Sequence, residues 1–220
     1  GAAAFRRTGE VGKIESSDLP DCAELGWGSF PCQDLSLAGG GAGLKGGRSG
    51  SFWPFWRLVE ALIKEGRAPR MIVLENVCGT LTSHGGEDFS ALCSALSQAG
   101  YKFGAVIIDA ALFVPHSRPR LFIVAARNDI ELPGPVSAGQ ASPVWHTRGL
   151  KTAYDKLDAQ AKNNWIWWNF PLPPLRNACF ADLIEDQPTS VDWHTPEETQ
   201  YRKSTRLHSS HAHISSAVFC

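Results

Sequence analysis

Paired cysteines are missing from this 220-residue chain: its six stand at 22, 32, 78, 93, 179 and 220, with no C-x-x-C among them. That spacing fits neither a zinc site nor a compact disulfide framework, so individual thiols in a reducing compartment are expected and no metal is implied. Long apolar runs are missing too. Met71-Ile72-Val73-Leu74 is typical of the longest, far below the about 20 residues that cross a membrane. Charge of one sign is not in excess: 21 Lys and Arg stand against 22 Asp and Glu, for a net charge of −1. A strongly basic nucleic-acid binder is therefore excluded, and any such contact must come from a local patch or from parts not present here. At the N-terminus the charges of Arg6 and Arg7 follow the apolar residues instead of preceding them, so no signal peptide is read there and the cytoplasm is the default location. What remains, 43% hydrophobic residues over this length, is enough for one substantial core.

From about 70 to 127 the pattern is βαβ-like. Met71 to Leu74 reads as a strand buried on both faces, and Val106-Ile107-Ile108 and Leu121-Phe122-Ile123-Val124 as two more. Asp88 to Ala99 carries Phe89, Leu92, Cys93 and Leu96 at helical spacing and ends before Gly100. Pro54 to Lys64 is a second helix, and Leu25 to Phe30 a further strand. Strands alternating with helices predict a mostly parallel sheet flanked by helices, with an antiparallel edge formed across the short loop at 115–119. Residues 38–51 are glycine-dense and read as a hinged lid. Their literal G-x-G-x-x-G at Gly41–Gly46 lacks the flanking strand and helix of a dinucleotide site. Residues 128–150 read as a linker or surface excursion. The tryptophans at 165, 167 and 168 are expected to pack as an aromatic cluster, a short helix at 180–185, and Thr195 with Glu198 to form a capping box.

Three groups carry chemistry. Cys32, between Pro31 and Gln33, follows a strand where α/β sheets place reactive groups, and its thiolate is a nucleophile. Cys22, Cys78, Cys93 and Cys179 are read as ordinary small hydrophobes. Glu75 ends a buried strand, where desolvation favours the acid form able to donate to a ring nitrogen, and Asn76 can hold it or the nearby backbone. Arg118 and Arg120 alternate across Pro119 and can share one face toward a phosphate, a base carbonyl or a carboxylate. His208, His211 and His213 stand close together, but in a stretch without periodicity, and are not taken as a metal site.

Taken in order, Gly28-Ser29-Phe30-Pro31-Cys32-Gln33-Asp34-Leu35-Ser36, Glu75-Asn76-Val77 and Arg118-Pro119-Arg120-Leu121-Phe122-Ile123 resemble the nucleophile, acid and Arg-x-Arg motifs of DNA C5-cytosine methyltransferases. The resemblance covers roughly 9 to 200. It implies an α/β fold of the S-adenosyl-L-methionine (AdoMet)-dependent methyltransferase type with a mixed sheet, here incomplete. It further implies double-stranded DNA with a flipped-out cytosine as substrate and AdoMet as methyl donor. By this resemblance Cys32 attacks carbon 6, Glu75 in its acid form stabilises the charge on the ring, and Arg120 supported by Arg118 positions the base and the Cys32 loop. Carbon 5 then takes the methyl group and Cys32 is eliminated; the flip costs a few kcal/mol. Glu10, Pro31 and Phe52 are the residues expected near the methyl donor.

The family's third motif begins with Gln where this chain has His116, and nothing before Gly9 resembles the glycine loop that cradles AdoMet. The chain therefore reads as a partial catalytic domain over 1–180, the start of a target-recognition or linker region over 181–203, and a disordered or foreign tail over 204–220. Weak or absent activity of the chain alone is expected, along with a possible complementing subunit. A non-catalytic remnant that binds nucleic acid or a partner, and a tRNA cytosine-5 methyltransferase, are the alternatives.

Overall fold

The computed structural model describes residues 10–19, 21–30, 52–185 and 195–198, together with the backbone of 216–219. In chain order the main elements are β1 (Leu25–Ser29), α1 (Phe52–Lys64), β2 (Met71–Val77), α2 (Glu87–Gln98), β3 (Tyr101–Asp109) and β4 (Pro119–Arg127). There follow the short β5 (Ser137–Ala138), α3 (Arg148–Asp155), α4 (Ala159–Asn163), the short β6 (Trp167–Trp168) and β7 (Ser216–Phe219). The main sheet has the order β3-β4-β2-β1-β7. β1 and β2 pair in parallel, while β2–β4, β3–β4 and β1–β7 are antiparallel. Three of the five strands, β1, β2 and β3, thus share one direction, and an antiparallel strand, β7, forms one edge. The hairpin expected between the later strands is present, but β4 is not peripheral: it folds back into the gap between β2 and β3. β7 lies within 204–220, where the sequence suggests a tail without structure; over these four residues there is a strand instead.

α1 buries Phe52, Phe55, Trp56, Val59 and Leu62 along one stripe. Full burial of each such side chain stabilises the fold by roughly 1.5–3 kcal/mol before chain entropy is counted. Pro54 falls in the first turn, where its missing N–H breaks no helical bond. The stripe packs on Ile72 and Leu74 of β2. β2 was expected to be buried on both faces, yet its burial alternates: Ile72, Leu74 and Asn76 are enclosed, while Met71, Val73, Glu75 and Val77 face a half-open side. Period two separates the residues that hold the core from those that face outward.

The stretch expected as a surface excursion is in part core. Trp145 and His146 are buried, and Trp168 donates its indole N–H to the Val124 carbonyl at 3.1 Å. Trp145, with Asn164 and Ile166 from beyond that stretch, also satisfies the outer edge of β3. Ile107 N–H reaches the Trp145 carbonyl (2.9 Å), Phe103 N–H the Asn164 carbonyl (2.9 Å), and Ile166 N–H the Phe103 carbonyl (2.6 Å). An edge covered in this way offers no template to another chain. Trp165 and Trp167 pack on each other and on Tyr154. Thr195 and Glu198 form the reciprocal capping box, with Glu198 N–H donating to Thr195 Oγ1 at 3.2 Å and Thr195 N–H to Glu198 Oε2 at 2.9 Å.

Candidate active site

The last residues of β1 and β2 and the first residues of β4 lie at the same end of the sheet. Ser29 is the register partner of Glu75, and Arg120 the register partner of Val77. Alternation along the strands therefore puts Ser29, Glu75 and Arg120 on the same half-open face. Arg120 Nε donates to Glu75 Oε1 at 3.1 Å, with about a fifth of each side chain exposed (21% and 22%). Ser29 Oγ donates to Glu75 Oε2. Arg120 Nη1 turns back to the Pro119 carbonyl at 2.9 Å. Each carboxyl oxygen of Glu75 thus has a partner of its own. The carboxyl that the sequence places at the end of an apolar strand is met by two side chains, Ser29 and Arg120.

Asn76 points the other way, into the helical layer, and is 4% exposed. Its Nδ2 donates to the Phe30 carbonyl at 3.0 Å, and its Oδ1 accepts from Val77 N–H at 2.8 Å. Asn76 thereby ties the chain leaving β1 to the end of β2, two positions before Cys32. Pro31, Cys32 and the glycine-dense segment 38–51 lie outside the described residues, as do His208, His211 and His213.

Arg118 and Arg120 do not converge on Glu75 together. Arg118 is exposed, and its backbone N–H donates to Asp109 Oδ1 at 2.7 Å. Asp109 also accepts from Ala111 N–H (3.0 Å) and from Ser117 Oγ (2.8 Å). These donors, the Ala111 N–H first, hold its carboxyl below the usual aspartate range. Asp109 thus fixes the loop from which both arginines emerge. His116 in that loop is exposed, with its N–H on the Val114 carbonyl at 2.7 Å. Cys78, one residue past β2, has its thiol pushed up by burial, against the pull of nearby Arg120. A hollow between α1 and α2, lined by Trp56, Ile63, Ala95 and Ala99, contains none of these groups.

Residues 5–217 match the family model of the C-5 cytosine-specific DNA methylases. The chain belongs to this family. It is 39% identical to the type II methyltransferase M2.BsuMI of Bacillus subtilis over 113 residues, which are 51% of this chain and 28% of that protein. It is 30% identical to the type II methyltransferase M.NgoBI of Neisseria gonorrhoeae over 191 residues, 84% of this chain and 54% of that protein. Among solved structures, the Dnmt2 methyltransferase of S. pombe is similar at a TM-score of 0.42 and 22% identity, over 57% of this chain and 36% of that one. This methylase chain spans about a quarter to about half the length of these curated relatives.

AdoMet is the methyl donor of the family. The described residues do not by themselves fit a cradle for it. Phe52 is fully buried, packed on Phe30, Trp53 and Trp56, so its ring serves the core. Glu10 is largely exposed and pairs with Lys13 at 3.0 Å. Two groups of the site were not found from the sequence. Ser29 could have been reached by pairing the two strands in parallel, which sets it opposite Glu75. Asp109 ends an apolar strand run, a position that offers its carboxylate to the loop beyond.

Proposed function

We propose that this methylase chain carries the catalytic centre for methylation of carbon 5 of cytosine in DNA, through a covalent bond from Cys32. Cys32 thiolate adds to carbon 6 of a flipped-out cytosine in double-stranded DNA. Glu75, once protonated, donates to the ring nitrogen and absorbs the charge that the addition creates, leaving carbon 5 electron-rich. Arg120 orients the base and the Glu75 carboxyl, Arg118 holds the neighbouring backbone phosphate or base, and Asn76 fixes the start of the Cys32 segment. Loss of the carbon 5 proton and elimination of Cys32 then release the product. AdoMet would supply the methyl group, with residues beyond the described ones needed to hold it. The setting is the cytoplasm, beside the nucleoid in a bacterial cell.

The observation that carries this reading is the Glu75–Arg120 pair, together with the Asn76 tie to Phe30, at the strand end that leads into Cys32. Incubation with AdoMet and an oligonucleotide containing 5-fluorocytosine, which blocks the elimination step, tests it. A covalent adduct is expected, lost in Cys32→Ser. A second reading is a split enzyme, in which the adduct appears only once a complementing polypeptide is added. No adduct under either condition overturns both readings.

A further inference from the structure

Glu75 is gripped by two donors of different kinds, and the difference matters for an acid that must change its protonation state. Arg120 donates to Oε1, so its contact is lost once that oxygen carries a proton. The Ser29 hydroxyl lies on the other oxygen, and Oε2 can accept from it both in the carboxylate and in the acid protonated at Oε1. Ser29 is placed for this by the backbone: it is the parallel register partner of Glu75, on the same face, with its Oγ on Oε2. We propose that Ser29 is a positioning residue that keeps the Glu75 carboxyl in place through both protonation states, while the Arg120 contact at Oε1 gives way to the incoming base. The role rests on the proposed function of Glu75. Ser29 neither gains nor loses a proton in it; its hydroxyl goes on donating to Oε2 while the proton on Oε1 faces the ring nitrogen.

Two readouts on the full chain separate this role from the function on which it rests. The first is the 13C carboxyl resonance of Glu75 in protein labelled at glutamate, assigned with Glu75→Gln. Ser29→Ala should move this resonance and Ser29→Thr should return it toward the wild-type position. The second is the rate of adduct formation on the 5-fluorocytosine oligonucleotide with AdoMet. Ser29→Ala should slow it about tenfold, the scale of one hydrogen bond to a charged group. The DNA concentration for half-maximal rate should stay within about twofold, and Ser29→Thr should restore the rate. An unmoved resonance, or an unslowed adduct in Ser29→Ala, overturns the proposal. A resonance that moves in Ser29→Ala, with no adduct from the wild-type chain either alone or with a complementing polypeptide, overturns the catalytic function itself and the role of Ser29 with it.

Discussion

Asn76 shows how much of the site depends on one buried amide. Its two halves serve two backbones: Nδ2 holds the Phe30 carbonyl and Oδ1 holds the Val77 N–H. Asn76→Ala leaves both without a partner in an enclosed position, and should lower stability by about 1–3 kcal/mol. Asn76→Asp keeps the acceptor but turns a second oxygen toward the Phe30 carbonyl, so it should cost at least as much. Urea unfolding of the two variants measures this, and an Asn76→Asp protein as stable as wild type would sink the assignment of the Phe30 contact. Glu75 and Arg120, which the structure brings together, could be singled out in the sequence because each stands directly beside an apolar run, while Cys32 lies outside the described residues. Ser29 could not, since its partner lies 46 residues away and is found only when the strands are paired. Arg118 shows the limit of counting by two. It precedes the strand, and its loop answers to Asp109 instead of to the pleat.

Among the elements, β3 is the most constrained. A Cβ on Gly104 would stand 1.8 Å from the Ile166 carbonyl oxygen and 3.0 Å from the Trp168 ring. Glycine is required there by the close approach of the segment that covers the strand edge. Gly104→Ala must therefore push Ile166 outward, and should cost on the order of 3 kcal/mol or more, above the usual range for overpacking. It should also free the Phe103 and Ile107 amides that this segment covers, so amide hydrogen exchange at both positions would accelerate along with the fall in stability. Unchanged exchange at Phe103 would contradict it. The strand itself was visible in Val106-Ile107-Ile108, but the covering segment was not. Its pattern of Pro, Gly and Ser resembles a surface loop, and the few residues that bury, Trp145 and His146 among them, follow no helix or strand period. The alternating burial of β2 was hidden for the opposite reason: Met71 and Val73 are apolar although they face the half-open side, so the run reads as continuous.

For the molecule as a whole, two histidines work in opposite directions on pH. His146 is enclosed, accepts from Ser142 N–H at 2.7 Å and stacks edge-on against Trp167. Burial pushes its pKa down. Its contribution is full above the unfolded value of about 6.5 and is lost as pH falls below it, because the unfolded chain takes up the proton first. His84 is raised, chiefly by the hydrogen bond to the enclosed Asp88 at 2.8 Å. Its contribution is present below about 6.5 and fades as pH rises through its folded value. His146→Asn, whose Oδ1 can accept from Ser142, should flatten the loss of thermal stability as pH falls below about 6.5; an unaltered profile would show that His146 does not contribute to it.

The direction of β4 has a chemical effect as well as an architectural one. Because it runs against β2, it begins at the end of the sheet where β2 finishes, and Arg120 enters beside Glu75. With its direction reversed, the same residues would start at the far end of the strand, roughly 20 Å away, beyond the reach of any side chain. The polarity of one backbone segment therefore decides which of its two arginines stands at the end of the sheet where the Glu75 carboxyl sits. A rearranged chain that turned this strand around would carry Arg120 away from Glu75 and bring Arg127, now at the opposite end of the strand, toward it.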